Sequence, residues 1–223
     1  MIFDNLATQL SAEYELFLFA LSGRYQQVRS PGIEVTPRAI SELNYEAHNL
    51  AQTFYQLAER DIEEYLRPLL LDASDDLASG LVVRKKETLA HIRAMLLENV
   101  QTTMKLARTG MRGAISMLKG AHGAMGLLVQ RKAGKIDFRV TDTSGRKWEA
   151  RKLFAVIVRD FAYQAWIDHE VERLMVAGVD LVQTPNGRVM SLFGIGDYER
   201  FVDVRDNIFH INSKQIMVPY VPS

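Results

Sequence analysis

The sequence contains no cysteine. Disulfides, thiolate zinc sites, cysteine nucleophiles and iron–sulfur ligation are therefore excluded, and nothing argues for secretion. Long apolar runs are missing too. The nearest approach to the ~18 uninterrupted residues of a spanning helix is Met111–Gln130, which carries Arg112 and Lys119. The start, Met1-Ile2-Phe3-Asp4, lacks a basic region and a small-residue cleavage site. A soluble, intracellularly made protein is expected.

What is present is an ordinary globular balance. Of 223 residues, 48% are apolar and 24% charged, enough for one large or two small domains with a real core. Formal net charge is zero but unevenly spread. Residues 1–80 hold 5 Lys/Arg against 13 Asp/Glu, residues 81–150 hold 14 against 5, and residues 151–223 hold 8 against 9. A basic middle suits nucleic acid, because phosphates attract such a patch. It equally suits an internal pairing of acidic and basic segments.

The first two-thirds reads as helix. Leu6, Leu10, Tyr14, Phe17 and Leu21 recur at helical spacing, and Gly23 and then Pro31-Gly32 are expected to stop the pattern. Thr36-Pro37 is a start signal, with a hydroxyl N-cap and proline at the first helical position. Ile40, Leu43, Ala47, Leu50, Phe54 and Leu57 then form a stripe that suits a bundle helix. If nothing inside the chain covers it, that stripe calls for a partner. Pro68 should end or kink this helix near Arg67. Asp72–Gly80 reads as a polar connection. A third helix is expected from about Lys86, through Leu89, Ile92, Leu96 and Val100. Glycines at 110, 113, 120, 123 and 126 predict a broken or closely packed helix, then a basic turn at 131–135.

From Ile136 the period changes. Asp137–Thr141 alternates like a strand and Asp142–Arg146 reads as a turn. One long helix is expected over about 149–177, capped by Gly178. Strands at about 180–184 and 188–192 flank the Pro185-Asn186-Gly187 turn. Ile216–Val221 reads as an edge strand because of Pro219. The fold class is α+β, predominantly helical: an elongated N-terminal helical region over 1–135 and a small α+β domain over 136–223.

No catalytic constellation emerges. The glycines at 120, 123 and 126 are not followed by Lys-Ser or Lys-Thr, so they do not form a phosphate loop. A small-residue apolar segment edged by Lys119, Arg131 and Lys132 could lie in a bilayer interface. His169-Glu170 lacks a second histidine one turn on, where Arg173 stands. Without that pair there is no metal clamp. Asp168, His169, Glu170 and Glu172 read as a solvated face. His48, His91, His122 and His210 are scattered, and no Gly-x-Ser-x-Gly elbow is present. No catalytic residue, cofactor or metal is expected. Lys105, Arg108, Arg112 and Lys119 recur at intervals of three, four and seven. On a continuous helix they would line one face, able to contact DNA or an acidic partner.

Three blocks in the last third carry a resemblance. The first is Val140-Thr141-Asp142-Thr143-Ser144-Gly145-Arg146-Lys147-Trp148. The second runs from Val156-Ile157-Val158-Arg159 to Ala177-Gly178-Val179-Asp180-Leu181-Val182, with Gly187-Arg188-Val189-Met190-Ser191 close behind. The third is Ile208-Phe209-His210-Ile211-Asn212-Ser213-Lys214, ending Val218-Pro219-Tyr220-Val221-Pro222. In order and spacing they resemble the phage minor head (minor capsid, head morphogenesis) proteins. The family's His/Cys-bearing loop before Gly187 is deleted here, Thr184-Pro185-Asn186 leading almost directly to Gly187, and its closing Cys is Ser213. No metal or redox group is carried over, and an enzyme with a degenerate transferase site is not expected. The resemblance implies a structural virion protein, made in the host cytoplasm and packaged near the portal in few copies. It would act in head assembly or genome delivery and contact portal, capsid, connector or tail proteins, and packaged DNA. Under it, Gly145, Trp148, Arg159, Gly178, Asp180, Gly187, His210, Asn212, Pro219 and Tyr220 hold the C-terminal unit together. Gly145 and Gly187 serve turns, Trp148 and Tyr220 fill core, and Arg159 pairs with a carboxylate. The alternative is a DNA-binding or membrane-active ejection protein using the glycine-broken segment 84–135.

Overall fold

The computed structural model describes residues 2–29, 35–118, 136–142, 144–209 and 216–221, with backbone alone at 2, 3 and 110–118. The fold is predominantly helical α+β. Helices are α1 (Ile2–Val28), α2 (Pro37–Leu70), α3 (Asp75–Leu118), α4 (Ala150–Val176) and α5 (Phe201–Ile208). Strands are β1 (Arg139–Thr141), β2 (Lys147–Glu149), β3 (Leu181–Gln183), β4 (Val189–Ser191), β5 (Glu199–Arg200) and β6 (Val218–Pro219). The chain divides into two compact units, each discontinuous in sequence. One comprises residues 8–60 and 89–155, the other 1–7, 61–88 and 156–223. This division does not follow a single cut in the sequence; the boundary expected at 135 lies outside the described residues.

The unit of 8–60 and 89–155 is a helical core with a small hairpin. Leu10, Tyr14, Phe17, Leu21 and Tyr25 are buried at spacings of three and four along α1. The helix does not stop at Gly23. A Cβ there would meet open space, so the glycine costs only its ~1 kcal/mol of helix propensity, less than the buried stripe on either side of it contributes. Thr36 caps α2 as expected, its Oγ1 accepting the Ala39 amide at 3.1 Å. Ile40, Leu43, Ala47 and Phe54 are buried, and Leu50 and Leu57 half-buried. The stripe is therefore covered within the chain, so it does not itself call for a partner. Tyr14 stacks on Phe154 at 4.2 Å between ring centroids, and Phe54 sits within 5.6 Å of both rings. Asn99 and Thr103 of α3 are buried in the same core.

β1 and β2 pair antiparallel, with Val140 opposite Trp148. Lys147–Glu149 is thus a strand rather than the lead-in to the helix. α4 follows it directly, its first amide at Ala150 donating to Phe138 O at 2.9 Å. The glycine-broken helix expected near 110–126 is helical backbone through Gly110 and Gly113 to Leu118. The rest of that stretch, and the basic turn at 131–135, lie outside the described residues.

The unit of 1–7, 61–88 and 156–223 combines helix ends with a four-stranded sheet of order β5-β4-β3-β6. β3 and β4 form the expected hairpin, with Val182 opposite Met190. β6 lies at the edge, as Pro219 requires. β5 adds parallel to β4, and β5 and α5 were not foreseen. Pro68 lies in the last turn of α2, which ends at Leu70. α3 begins at Asp75 rather than near Lys86. Ser74 caps it, its Oγ accepting the Leu77 amide at 3.2 Å. Asp75 and Asp76 lie in the first turn, where carboxylates complement the helix dipole. The polar run that resembles a loop is therefore mostly a helix start.

Candidate functional site

The residues of the first sequence block meet at one side chain, Asp142. Its Oδ1 accepts the Ser144 hydroxyl at 2.7 Å and the amides of Ser144 and Arg146 at 3.0 and 2.8 Å. Its Oδ2 accepts Trp148 Nε1–H at 2.8 Å and Arg146 Nε–H at 3.2 Å. These donors, the Ser144 hydroxyl first and then the Trp148 indole, hold the carboxyl well below the usual range. Gly145 takes φ +82°, a left-handed conformation that lets the turn close with Gly145 N–H on Asp142 O. Trp148 is half-buried, so it serves this turn more than it fills a core. The Arg146 guanidinium lies 5.8 Å from its ring centre.

The second block builds the entry to the sheet. Gly178, at φ +70°, ends α4. Its amide donates to Met175 O at 3.0 Å and the Val179 amide to Leu174 O at 3.0 Å, satisfying carbonyls the helix end leaves open. Asp180 then secures the loop after β4. Its Oδ1 accepts the buried Ser191 hydroxyl at 2.7 Å and the Phe193 amide at 3.0 Å. Ser191 Oγ in turn accepts the Ile195 amide at 2.9 Å. Gly187, φ +84°, closes the β3–β4 turn onto Thr184 O. Pro219 sits in β6 opposite Val182, and the Tyr220 amide donates to Leu181 O at 2.8 Å. The Tyr220 ring is half-buried rather than core. Arg159 pairs with a carboxylate, Asp4, at 2.9 Å. His210 and Asn212 lie outside the described residues.

A polar network that sequence reasoning missed occupies the same unit. Asp160, Gln164 and Asp168 recur every fourth residue on α4. Asp168 Oδ2 accepts Arg84 Nη2–H at 2.9 Å, and its Oδ1 accepts from Arg205. Arg205 also donates to Gln164 Oε1 at 3.0 Å, and Gln164 Nε2 donates to Phe209 O at 2.6 Å. The Nε atoms of both arginines are buried without a hydrogen-bond partner. Burial pushes the Asp160 carboxyl up, opposed by Arg84, Gln164 and Arg205. The expected solvated face is therefore corrected at Asp168, whose side chain is 25% exposed and doubly paired, and at Glu170, whose side chain is 16% exposed. Glu172 accepts the Ser74 amide at 3.1 Å, and Glu170 pairs with Arg173 at 2.6 Å. The four-residue spacing was the available signal, but it does not reveal which cations arrive from α3 and α5.

Lys105 and Arg108 are exposed on one face of α3. Arg112 continues that helix, described by backbone alone, and Lys119 lies outside the described residues. Among the described residues no group of three or more metal-capable side chains converges, and no helix is long and apolar enough to cross a membrane. No protein-family model, curated protein or solved structure matches the chain.

Proposed function

We propose that the chain is a structural component of a phage particle. It would be a low-copy minor head or portal-associated protein acting in head assembly or genome delivery. The order of the three C-terminal blocks motivates this reading. The observation that carries it is the use made of the block residues. Gly145, Trp148, Gly178, Asp180 and Gly187 all serve to close turns, end a helix or fasten a loop. Residues with that duty account for a shared pattern by fold maintenance, without any reaction. The partners would be portal, capsid, connector or tail proteins.

The test is composition and location. Particles of the phage encoding the chain should contain it in few copies by quantitative mass spectrometry. A reconstruction should place it near the portal vertex. Absence from both immature and mature particles overturns the proposal.

A second reading, a DNA-binding ejection protein, draws on Lys105 and Arg108, which stand exposed within a segment of strongly basic balance. Release of the chain into the host cell with the genome, followed by labelled-particle infection, distinguishes it from a component that stays in the head.

A further inference from the structure

In the unit of 8–60 and 89–155, α2 and α3 enclose a cleft of about 360 Å³. From α2 come Asn44 and His48, one turn apart. From α3 come Gln101, Lys105, Arg108 and Thr109 along one face. The buried side chains of Val100 and Met104 also line it. Among the described residues, no aspartate or glutamate lines the cleft.

Several other cations of this unit are answered by carboxylates: Arg24 by Glu46 at 3.5 Å, Arg38 by Glu42 at 2.8 Å and Arg151 by Glu15 at 2.5 Å. Lys105 and Arg108 enter no such pair among the described residues. Two cations three residues apart on a helix repel each other. A bound anion relieves that repulsion.

The donors specify the anion further. A guanidinium offers a planar fork that matches phosphate oxygens two at a time, and an ammonium adds a point charge. The amides of Asn44 and Gln101 can donate to further oxygens. His48 Nδ1 lies 2.8 Å from the Asn44 carbonyl oxygen. A carbonyl only accepts, so Nδ1 carries the proton and Nε2 is the ring's open edge. Thr109 Oγ1 donates to Lys105 O at 2.9 Å, so that hydroxyl oxygen is left to accept, which suits a sugar hydroxyl. The volume lies near the lower end of small-molecule sites, enough for a phosphate with its sugar.

We infer that this cleft binds the phosphate group of a nucleotide unit, either a free phosphate ester or a link in a nucleic-acid strand. The cleft's chemistry stands whether or not the chain belongs to a particle.

The experiment uses the full chain. Labelled 20-base-pair duplex DNA is titrated by fluorescence anisotropy across a salt series. Deoxyadenosine monophosphate, inorganic phosphate and polyglutamate are titrated by calorimetry. The variants are Lys105→Gln/Arg108→Gln and the charge-conserving Arg108→Lys, all at exposed positions, with circular dichroism melting as a fold check. A strand-borne phosphate predicts DNA binding that falls at least about tenfold in the double variant. Its log–log salt slope should be shallower by about 1.8, at about 0.9 per phosphate contact. Arg108→Lys should lose part of the affinity and keep most of the slope. A free ester predicts binding of deoxyadenosine monophosphate that the double variant abolishes, without DNA binding. Either result supports the site. Polyglutamate bound as tightly as the phosphate ligands, and equally sensitive to the double variant, overturns it in favour of an acidic protein partner. No binding at low salt, or binding that the folded double variant retains in full, overturns it outright.

Discussion

Trp148 donates its indole N–H to Asp142 across 2.8 Å, tying β2 to the turn that precedes it. The same carboxylate collects donors from Ser144 and Arg146, and the sum holds its pKa well below the usual range. A folded-state value that is depressed means stability that is present above the unfolded value, near pH 4, and lost as pH falls below it. The Trp148 indole N–H resonance should therefore stay in place from pH 7 through about pH 4, where an ordinary aspartate titrates, and move only in markedly stronger acid. Asp142→Asn should flatten this acid response. Overlapping acid profiles for variant and parent would show that the turn does not depend on the charge.

Asp180 and Ser191 form the second test. Asp180→Ala removes the acceptor of a buried hydroxyl and of the Phe193 amide. Bonds to a charged acceptor contribute about 1.5–3 kcal/mol, so a loss of that order is expected in urea unfolding. Cleavage in the loop at Phe193–Tyr198 should also become faster. Asp180→Asn retains one acceptor oxygen and should lose less. An Asp180→Ala melt equal to the parent's would remove this latch from the account.

In the helical core, Asn99 Nδ2 donates to the Tyr14 hydroxyl, and both side chains are fully buried. Burial pushes the Tyr14 phenol up, so it should stay neutral through an alkaline titration to pH 11. Tyr14→Phe keeps the ring against Phe154 but leaves the Asn99 amide without its partner, at a cost of about 1–3 kcal/mol. Adding Asn99→Leu should recover part of that loss. If the double variant is as weak as the two single losses added together, the pair is not the source.

Two glycines should respond with opposite signs to alanine. Gly178 sits at φ +70° with open space around it, so Gly178→Ala pays only the left-handed backbone cost of about 1 kcal/mol. Gly23 lies within α1, also with open space beside it. Gly23→Ala should stabilise by about 0.5–1 kcal/mol through helix propensity and a less flexible unfolded chain. Thermal melts of the two variants should bracket the parent.

Asp168→Ala should leave Arg84 and Arg205 facing each other without their shared carboxylate. With side chains 24–31% exposed, solvent screens part of the penalty. A loss of about 1–3 kcal/mol is expected rather than the larger cost of a fully buried broken pair. Asp168→Ala combined with Arg205→Met should lose less than the sum of the two.

Much of this architecture is legible where a backbone device has a distinctive residue. Thr36-Pro37, the Pro185-Asn186-Gly187 turn, Gly178 and the edge proline at 219 each announce a start, a reversal, an end or an unpaired margin. Gly23 misleads because its local preference is only about 1 kcal/mol, which the buried stripe running past it outweighs. Residues 72–80 mislead because a capped helix start, with Ser74, Asp75 and Asp76, is as polar as a loop. β2, β5 and α5 escape because each is only a few residues long, too short for a period to register. Of the site, Gly145, Gly187 and Arg159 are readable in role. The carboxylates that organise it are not, since their partners come from other elements. Asp142 is hidden inside its own turn motif, and Asp168 resembles an ordinary exposed acid until Arg84 and Arg205 are placed.

Asp4 and Arg159 are separated by 155 residues in the chain yet belong to one compact unit. A ribosome adds about 5–20 residues per second, so the carboxylate emerges about 8–30 s before the guanidinium that will meet it. During that interval the opening turns of α1 can join no completed version of their unit. Protection of those turns from pulse proteolysis on stalled nascent chains should therefore arrive late, only after residues beyond 156 have left the exit tunnel.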